Sequence, residues 1–291
     1  MNLAIVGNND GPLTLLRSLR KEGISSVCVG LQKAAPSALK AQYLDYVGED
    51  QFFSEFGEAK LLDNLSSYRI DRLINCFCNF KFTRLLERYE VLNVHLAPLP
   101  YYRGRHPLHW ALINGETEFG LTIHRMTPEI DAGDILWQRM VDVRPGTSVA
   151  TLREQLMQEL ADGFGTFVQW YRQGAIDPLP NREEAATYVA RRFPADSELT
   201  EWHDRDTIYR KVMALRSEAN PAFLRINEQT IPVKQADLSP RYYVGRSTPF
   251  VSRVASDGIE VVCRDGKSVV LRGFNPQEHS LRINQKLSSL V

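Results

Sequence analysis

The chain has 291 residues, with 35 Lys and Arg balanced by 35 Asp and Glu, so its formal net charge is zero. A content of 43% hydrophobic and 24% charged residues is that of a globular protein of about two domains, long enough to bury a core. The charge balance argues against a general nucleic-acid binder, and no apolar run approaches the roughly 20 residues of a membrane-spanning helix.

The amino terminus lacks a cationic leader and reaches polar Asn8, Asn9 and Asp10 at once, so a soluble cytoplasmic protein without membrane contact is the default expectation. Residues 3 to 6 predict a short strand. Asp10 is placed to cap the following helix, with Pro12 in its first turn and Gly23 just beyond its end. Between them, Gly7 to Gly11 lacks the three-glycine spacing of a dinucleotide loop and reads as a tight strand-to-helix turn. Residues 26 to 30, 72 to 78 and 91 to 95 read as further strands, the last two separated by a helical pattern of Phe82, Leu85, Leu86 and Tyr89. This alternation predicts an α/β fold, a mostly parallel sheet with helices on its faces.

Further on, Pro107–Asn114 predicts a short helix, and residues 121 to 126 and 135 to 141 a pair of strands around the acidic loop Pro128-Glu129-Ile130-Asp131-Ala132-Gly133-Asp134. After Thr147, Val149, Leu152, Leu156, Leu160, Phe164, Phe167 and Tyr171 recur every three or four residues until Gly174, the packing face of a long helix. Composition shifts at residues 177 to 184, a linker signal. Beyond it come a helix near residues 206 to 216 and short strands at Phe223–Ile226 and near 230 to 234, 259 to 263 and 268 to 271. The expected organisation is residues 1–180 as one domain, 181–204 as a linker, and 205–291 as a smaller β-rich domain or partial barrel, which leaves a homodimer open.

Asn93 and His95 carry the chemistry. Two positions apart on one strand, their side chains leave by the same face. Histidine serves as a base near neutral pH, asparagine donates to a developing oxyanion, and Asp131 in the acidic loop is able to orient the imidazole. That is the minimum set for moving an acyl group onto an amine. Other residues of the same types read more simply. His124 and His279 are expected to be satisfied core or surface histidines, and Asp134 a turn residue. Glu183, Glu184, Arg191 and Arg192 read as solvated linker charges. His106 and His109 lack a third ligand, and Cys76-Phe77-Cys78 lacks the CxxC spacing of zinc sites, so reduced cysteines and no metal are expected.

Asn93-Val94-His95, the loop Leu99-Pro100-Tyr101-Tyr102-Arg103-Gly104 and Asp131-Ala132-Gly133 together resemble the folate-dependent formyltransferases, which include the methionyl-tRNA, glycinamide ribonucleotide and sugar-nucleotide enzymes. Ala186-Thr187-Tyr188, Glu201-Trp202, residues 208 to 216 and Asn220-Pro221-Ala222-Phe223 extend the likeness over nearly the whole chain. The resemblance implies a Rossmann-like formyltransferase domain followed by an OB-like β-rich domain, with N10-formyltetrahydrofolate as cosubstrate. It makes Asn93, His95 and Asp131 catalytic, and places the folate against Asn79, Phe80, Lys81, Leu99 and Ile130.

The stretch from Arg103 to Glu116 resembles the sugar-nucleotide enzymes, with Arg103 or Arg105 as the diphosphate clamp and Trp110 as a substrate contact. The segment from Leu31 to Lys40 holds only two lysines where tRNA enzymes of the family carry a basic insertion, so counterion release gives little tRNA affinity. A nucleotide-linked amino sugar is therefore the expected acceptor, and methionyl-tRNA the alternative.

Overall fold

In the computed structural model, which describes residues 2–226, 228–245 and 248–287, the first apolar run forms a wholly buried strand, Leu3–Gly7 (β1). Gly11–Lys21 (α1) follows, burying Leu13, Leu15, Leu16 and Leu19. Asp10 stands at its N-cap but makes no side-chain capping bond. Its backbone is already helical, with φ −88° and ψ −4°, rather than extended as a capping residue requires. Next come Cys28–Leu31 (β2), Ser37–Leu44 (α2), Phe52–Ser54 (β3), Glu58–Ser66 (α3), Arg72–Cys76 (β4), Arg84–Arg88 (α4) and Glu90–His95 (β5). The sequence reading has no element between residues 31 and 71. There α2 buries only Tyr43, and β3 is a three-residue, half-buried edge strand, so neither shows a clear apolar period.

Beyond β5 lie Arg103–Gly104 (β6), Pro107–Asn114 (α5), Glu118–Arg125 (β7), Ile135–Asp142 (β8), Val149–Arg172 (α6) and Tyr188–Val189 (β9). The last part of the described chain holds Arg205–Leu215 (α7), Phe223–Ile226 (β10), Gln229–Pro232 (β11), Gln235–Tyr242 (β12), Phe250–Ala255 (β13), Gly258–Val262 (β14) and Lys267–Arg272 (β15).

Two compact units divide the chain, the first made of Met1–Gly104, Phe119–Val141 and Glu154–Val189, the second of Arg105–Glu118, Asp142–Arg153 and Ala190–Val291. The first is built on a seven-stranded sheet in the order β3-β2-β1-β4-β5-β7-β8. Pairing is parallel from β3 through β5 and antiparallel between β5 and β7, so the mostly parallel, Rossmann-like sheet expected from the alternation is present. Its central strands are buried on both faces, which is why they read as continuous apolar runs. One core cluster joins Ala4, Val6, Leu73 and Val91 of the sheet to Leu61, Leu62 and Leu65 of α3 and Leu85 of α4.

In the second unit, β12-β15-β14-β13 form an antiparallel sheet and β10 pairs with β11, giving the β-rich region expected. Asp204 caps α7, accepting from the peptide nitrogens of Asp206 and Thr207 at 3.1 and 2.9 Å. The sequence reading missed β12, where Pro240 and exposed Gln235 and Tyr242 obscure the alternation, and also β13. Among the described residues, no helix is long and apolar enough to cross a membrane.

The cysteines are free. Burial pushes the thiols of Cys28, Cys78 and Cys263 up to about 12, so near neutral pH almost none is thiolate, the reactive form. Iodoacetamide is therefore expected to spare these three in the native protein and label them rapidly in denaturant. Peptide mapping that finds any of them alkylated equally fast in both states contradicts the burial.

Candidate active site

The register of three strands sets half of the site. β5 lies between β4 and β7, which places Asn75 opposite Asn93 on one side, and His124 opposite Asn93 and Thr122 opposite His95 on the other. Polar side chains in the middle of a buried sheet must find partners, and these find one another. The Cys78 peptide nitrogen donates to Asn75 Oδ1 at 3.1 Å, and Asn75 Nδ2 donates to Asn93 Oδ1 at 2.8 Å. Asn93 Nδ2 lies 3.0 Å from His124 Nε2, and His124 Nδ1 lies 2.8 Å from the Arg125 carbonyl. A carbonyl only accepts, so His124 Nδ1 carries a proton, and Nε2 is the ring atom turned toward Asn93. The relay fixes which end of the Asn93 amide is nitrogen and occupies only one of its two N–H groups.

The loop after β5 and the acidic loop supply the rest. His95 Nε2 donates to the Tyr102 carbonyl at 3.0 Å, which leaves Nδ1 as the ring position able to exchange protons. Nδ1 is 3.6 Å from Asp131 Oδ2, and Asp131 Oδ1 is 3.6 Å from His124 Nε2. The carboxylate therefore sits between two imidazoles and also accepts from the Gly104 peptide nitrogen at 2.9 Å. Thr122 ties the proline-rich loop to β7, donating to the Ala97 carbonyl at 2.7 Å and accepting from the Leu99 nitrogen at 3.1 Å. Gly133 closes the acidic loop against the backbone, since a Cβ there would lie 2.1 Å from the Arg125 carbonyl oxygen.

Burial shifts both titrating groups. Desolvation pushes His95 below its ordinary 6.5, with His124 adding to the fall and Asp131 and the Tyr102 carbonyl opposing it. Near pH 7 the ring is mainly neutral, with a lone pair on Nδ1. For Asp131, burial alone would raise the carboxyl. The His124 imidazole, the charge of His95 and the Gly104 N–H outweigh it and hold the group at about 2. A buried acceptor for one proton, an amide nitrogen and a negative charge are thus linked through Asp131 and His124. Such a set suits attack on a carbonyl carbon, where charge grows on oxygen while a proton leaves the nucleophile.

The remaining expected residues fall elsewhere. Arg103 is fully buried, and its guanidinium is taken up by Asn181, Tyr188 and Glu183, so it does not present itself as a diphosphate clamp. Glu183 is exposed, as expected of a solvated charge, and is also its ion-pair partner. Arg105 and Trp110 lie in the second unit, Arg105 exposed and Trp110 donating from Nε1 to the Ala190 carbonyl at 2.8 Å. Phe80 is partly buried and packs on Phe56 and Phe82, with ring centroids 6.1 and 4.9 Å away. Both backbone groups of Leu99 are occupied, by Thr122 and by Gln138 Nε2. The Asn79 nitrogen donates to Gln32 Oε1 at 2.8 Å, whereas Lys81 and Ile130 are exposed.

The sequence reading missed Asn75 and set His124 aside. His124 is a satisfied core histidine, as expected, yet its partners are Asn93 and the Asp131 loop. Only the antiparallel return of β7 onto β5 reveals this, and no local pattern encodes it.

A family model described as formyl transferase matches residues 3–164. Among solved structures, HypX from Aquifex aeolicus in complex with tetrahydrofolic acid is 18% identical, with a TM-score of 0.64 over 93% of this chain. The chain spans only 43% of that HypX chain. An N-formyltransferase from Helicobacter canadensis, in complex with folinic acid and dTDP-3-aminofucose, is 15% identical with a TM-score of 0.72, covering 94% of this chain and 100% of that one. Methionyl-tRNA formyltransferase from Clostridium thermocellum is 16% identical with a TM-score of 0.57, again covering 94% and 100%.

Proposed function

The chain belongs to the formyl transferase family, and from that premise we propose that it moves a formyl group from N10-formyltetrahydrofolate to the primary amine of a nucleotide-linked amino sugar. The observation that carries the reading is that Asp131 lies 3.6 Å from His95 Nδ1 and 3.6 Å from His124 Nε2, which is itself 3.0 Å from Asn93 Nδ2. The donor set fits a bound formyl donor: a neutral hydrogen-bond donor for its oxygen and a proton acceptor for the incoming amine, with no charged group needed to hold the carbonyl.

The donor, when bound, supplies an electrophilic carbonyl carbon. The second N–H of Asn93 receives the negative charge that grows on the formyl oxygen as the amine lone pair forms the new C–N bond. A single such donor contributes about 2.7–4 kcal/mol in other enzymes. His95 Nδ1 takes the proton released by the amine, and Asp131 stabilises the resulting imidazolium at 3.6 Å. The same Nδ1 then returns the proton to the departing nitrogen as the old C–N bond breaks, leaving the side chains as they began.

Support for a sugar nucleotide comes from the zero formal charge and from the TM-score of 0.72 with the H. canadensis enzyme, whose structure holds dTDP-3-aminofucose, against 0.57 with the methionyl-tRNA enzyme. Of the two arginines considered for its diphosphate, Arg103 is already engaged by Asn181, Tyr188 and Glu183, which leaves Arg105 as the candidate. A panel offering N10-formyltetrahydrofolate with dTDP- and UDP-linked amino sugars and methionyl-tRNA tests the reading. Formylation of an amino sugar is expected. Preference for methionyl-tRNA would replace the acceptor and keep the chemistry, and no formylation of any acceptor would overturn both.

A further inference from the structure

The segment beyond the family match reaches back to the acidic loop through one side chain. Asn181 Nδ2 donates to the carbonyls of Asp131 and Gly133 at 2.7 and 3.0 Å, while Asn181 Oδ1 accepts from Arg103 Nη2 at 2.7 Å. Carbonyls only accept and a guanidinium only donates, so the orientation of the amide is unambiguous and all its capacity toward the loop is used. Arg103 Nη2 also donates to the Asn181 carbonyl at 3.0 Å, and Nη1 to Tyr188 Oη at 2.8 Å and to Glu183.

Arg103 is the hinge of this arrangement because of its neighbours in sequence. The carbonyl before it, of Tyr102, holds His95, and the nitrogen after it, of Gly104, holds Asp131. Segment 181–189 binds the same stretch along its backbone. Thr187 Oγ1 accepts from the Tyr102 nitrogen at 2.8 Å, the Thr187 carbonyl accepts from the Arg103 nitrogen at 2.8 Å, and β6 pairs in parallel with β9. Asp131 itself has φ +52°, a left-handed conformation that a residue other than glycine keeps most readily when its surroundings hold it. The two Asn181 donors are on the carbonyls that flank the turn.

We propose that Asn181 is a positioning residue for formyl transfer: it locks the Asp131 loop to Arg103, so that one amide sets the separation of Asp131 from His95. The inference rests on the catalytic reading above and adds a residue outside the matched segment, at the start of the stretch read as a linker. No local signal marks it, because its partners are backbone atoms 48 and 50 residues away and a guanidinium 78 residues away.

Two variants of the full chain test it. Asn181→Ala removes every side-chain bond. Asn181→Asp is nearly isosteric, keeps an acceptor for Arg103 and loses the donors to the loop. In both, kcat for formyl transfer is expected to fall at least about tenfold while KM for donor and acceptor stays within about twofold, the split that marks lost transition-state interactions. In ligand-free Asn181→Ala, which adds no charge, the 13C-detected titration of the Asp131 carboxyl is expected to rise from about 2 toward its ordinary 3.8 as its contacts with Gly104, His95 and His124 loosen. Wild-type kcat in either folded variant, or a lowered kcat with an unmoved Asp131 titration, overturns the proposal. The titration needs no turnover, so it decides this point even if the wild-type chain formylates nothing, a result that would sink the functional reading alone.

Discussion

The His95→Ala protein is expected to fold and to lose about 10²–10⁴ in kcat, the range supplied by a positioned proton-transfer group. The argument is one of exclusive competence. His95 Nε2 is committed to the Tyr102 carbonyl, so Nδ1 is the only ring atom that can accept and return the amine proton, and it faces Asp131. His124 does not substitute, because its Nδ1 is bound to the Arg125 carbonyl and its Nε2 to Asn93. Burial keeps His95 below 6.5 and so mainly unprotonated near neutral pH, which makes the base form the resting form. KM for both substrates should change little, since the imidazole is needed as the proton moves rather than for binding. Steady-state kinetics on the purified variant, with circular dichroism to confirm the fold, decides the matter. A kcat within tenfold of wild type removes His95 from the mechanism.

What the sequence disclosed depended on how local each signal is. Buried parallel strands are short apolar runs and long helices are stripes, so β1, β5, α5 and α6 could be placed from the chain alone. Asn93 and His95 were legible because a strand period of two fixes their common face, and Asp131 because the loop pattern around it is compact. Asn75 and His124 were not, since each reaches Asn93 through the pairing of strands, and register is a property of the folded sheet. Arg103 shows the opposite failure. Its place after the proline-rich loop suits a substrate clamp, but a fully buried guanidinium needs several acceptors, and the acceptors it found lie in segment 181–188. Nothing near Arg103 in sequence announces them. Edge strands and elements with few buried residues, such as β3 and α2, left no period to read.

Replacing Asp131 tests the charge itself. Asp131→Asn preserves size and an acceptor for the Gly104 N–H while removing the carboxylate. Its folded carboxyl titrates at about 2 against an ordinary 3.8, and the side chain is only 12% exposed, so the charge contributes about 2 kcal/mol of stability. Because the folded value is the lower one, that contribution is complete above pH 3.8 and is lost as pH falls through about 2. In urea unfolding the variant is therefore expected to be about 2 kcal/mol less stable than wild type near neutral pH, with the gap closing between pH 3.8 and about 2. A gap that stays constant through that window would mean the carboxylate is not the stabilising group. The same charge raises the affinity of His95 for a proton, so its loss should move the acid limb of the kcat/KM profile to lower pH. The expected fall in kcat is about 10²-fold, because the imidazolium formed during proton transfer is left without its counter-charge. An acid limb that does not move while kcat falls would separate the two carboxylate roles, leaving Asp131 to hold the loop and assigning the charge that supports His95 elsewhere.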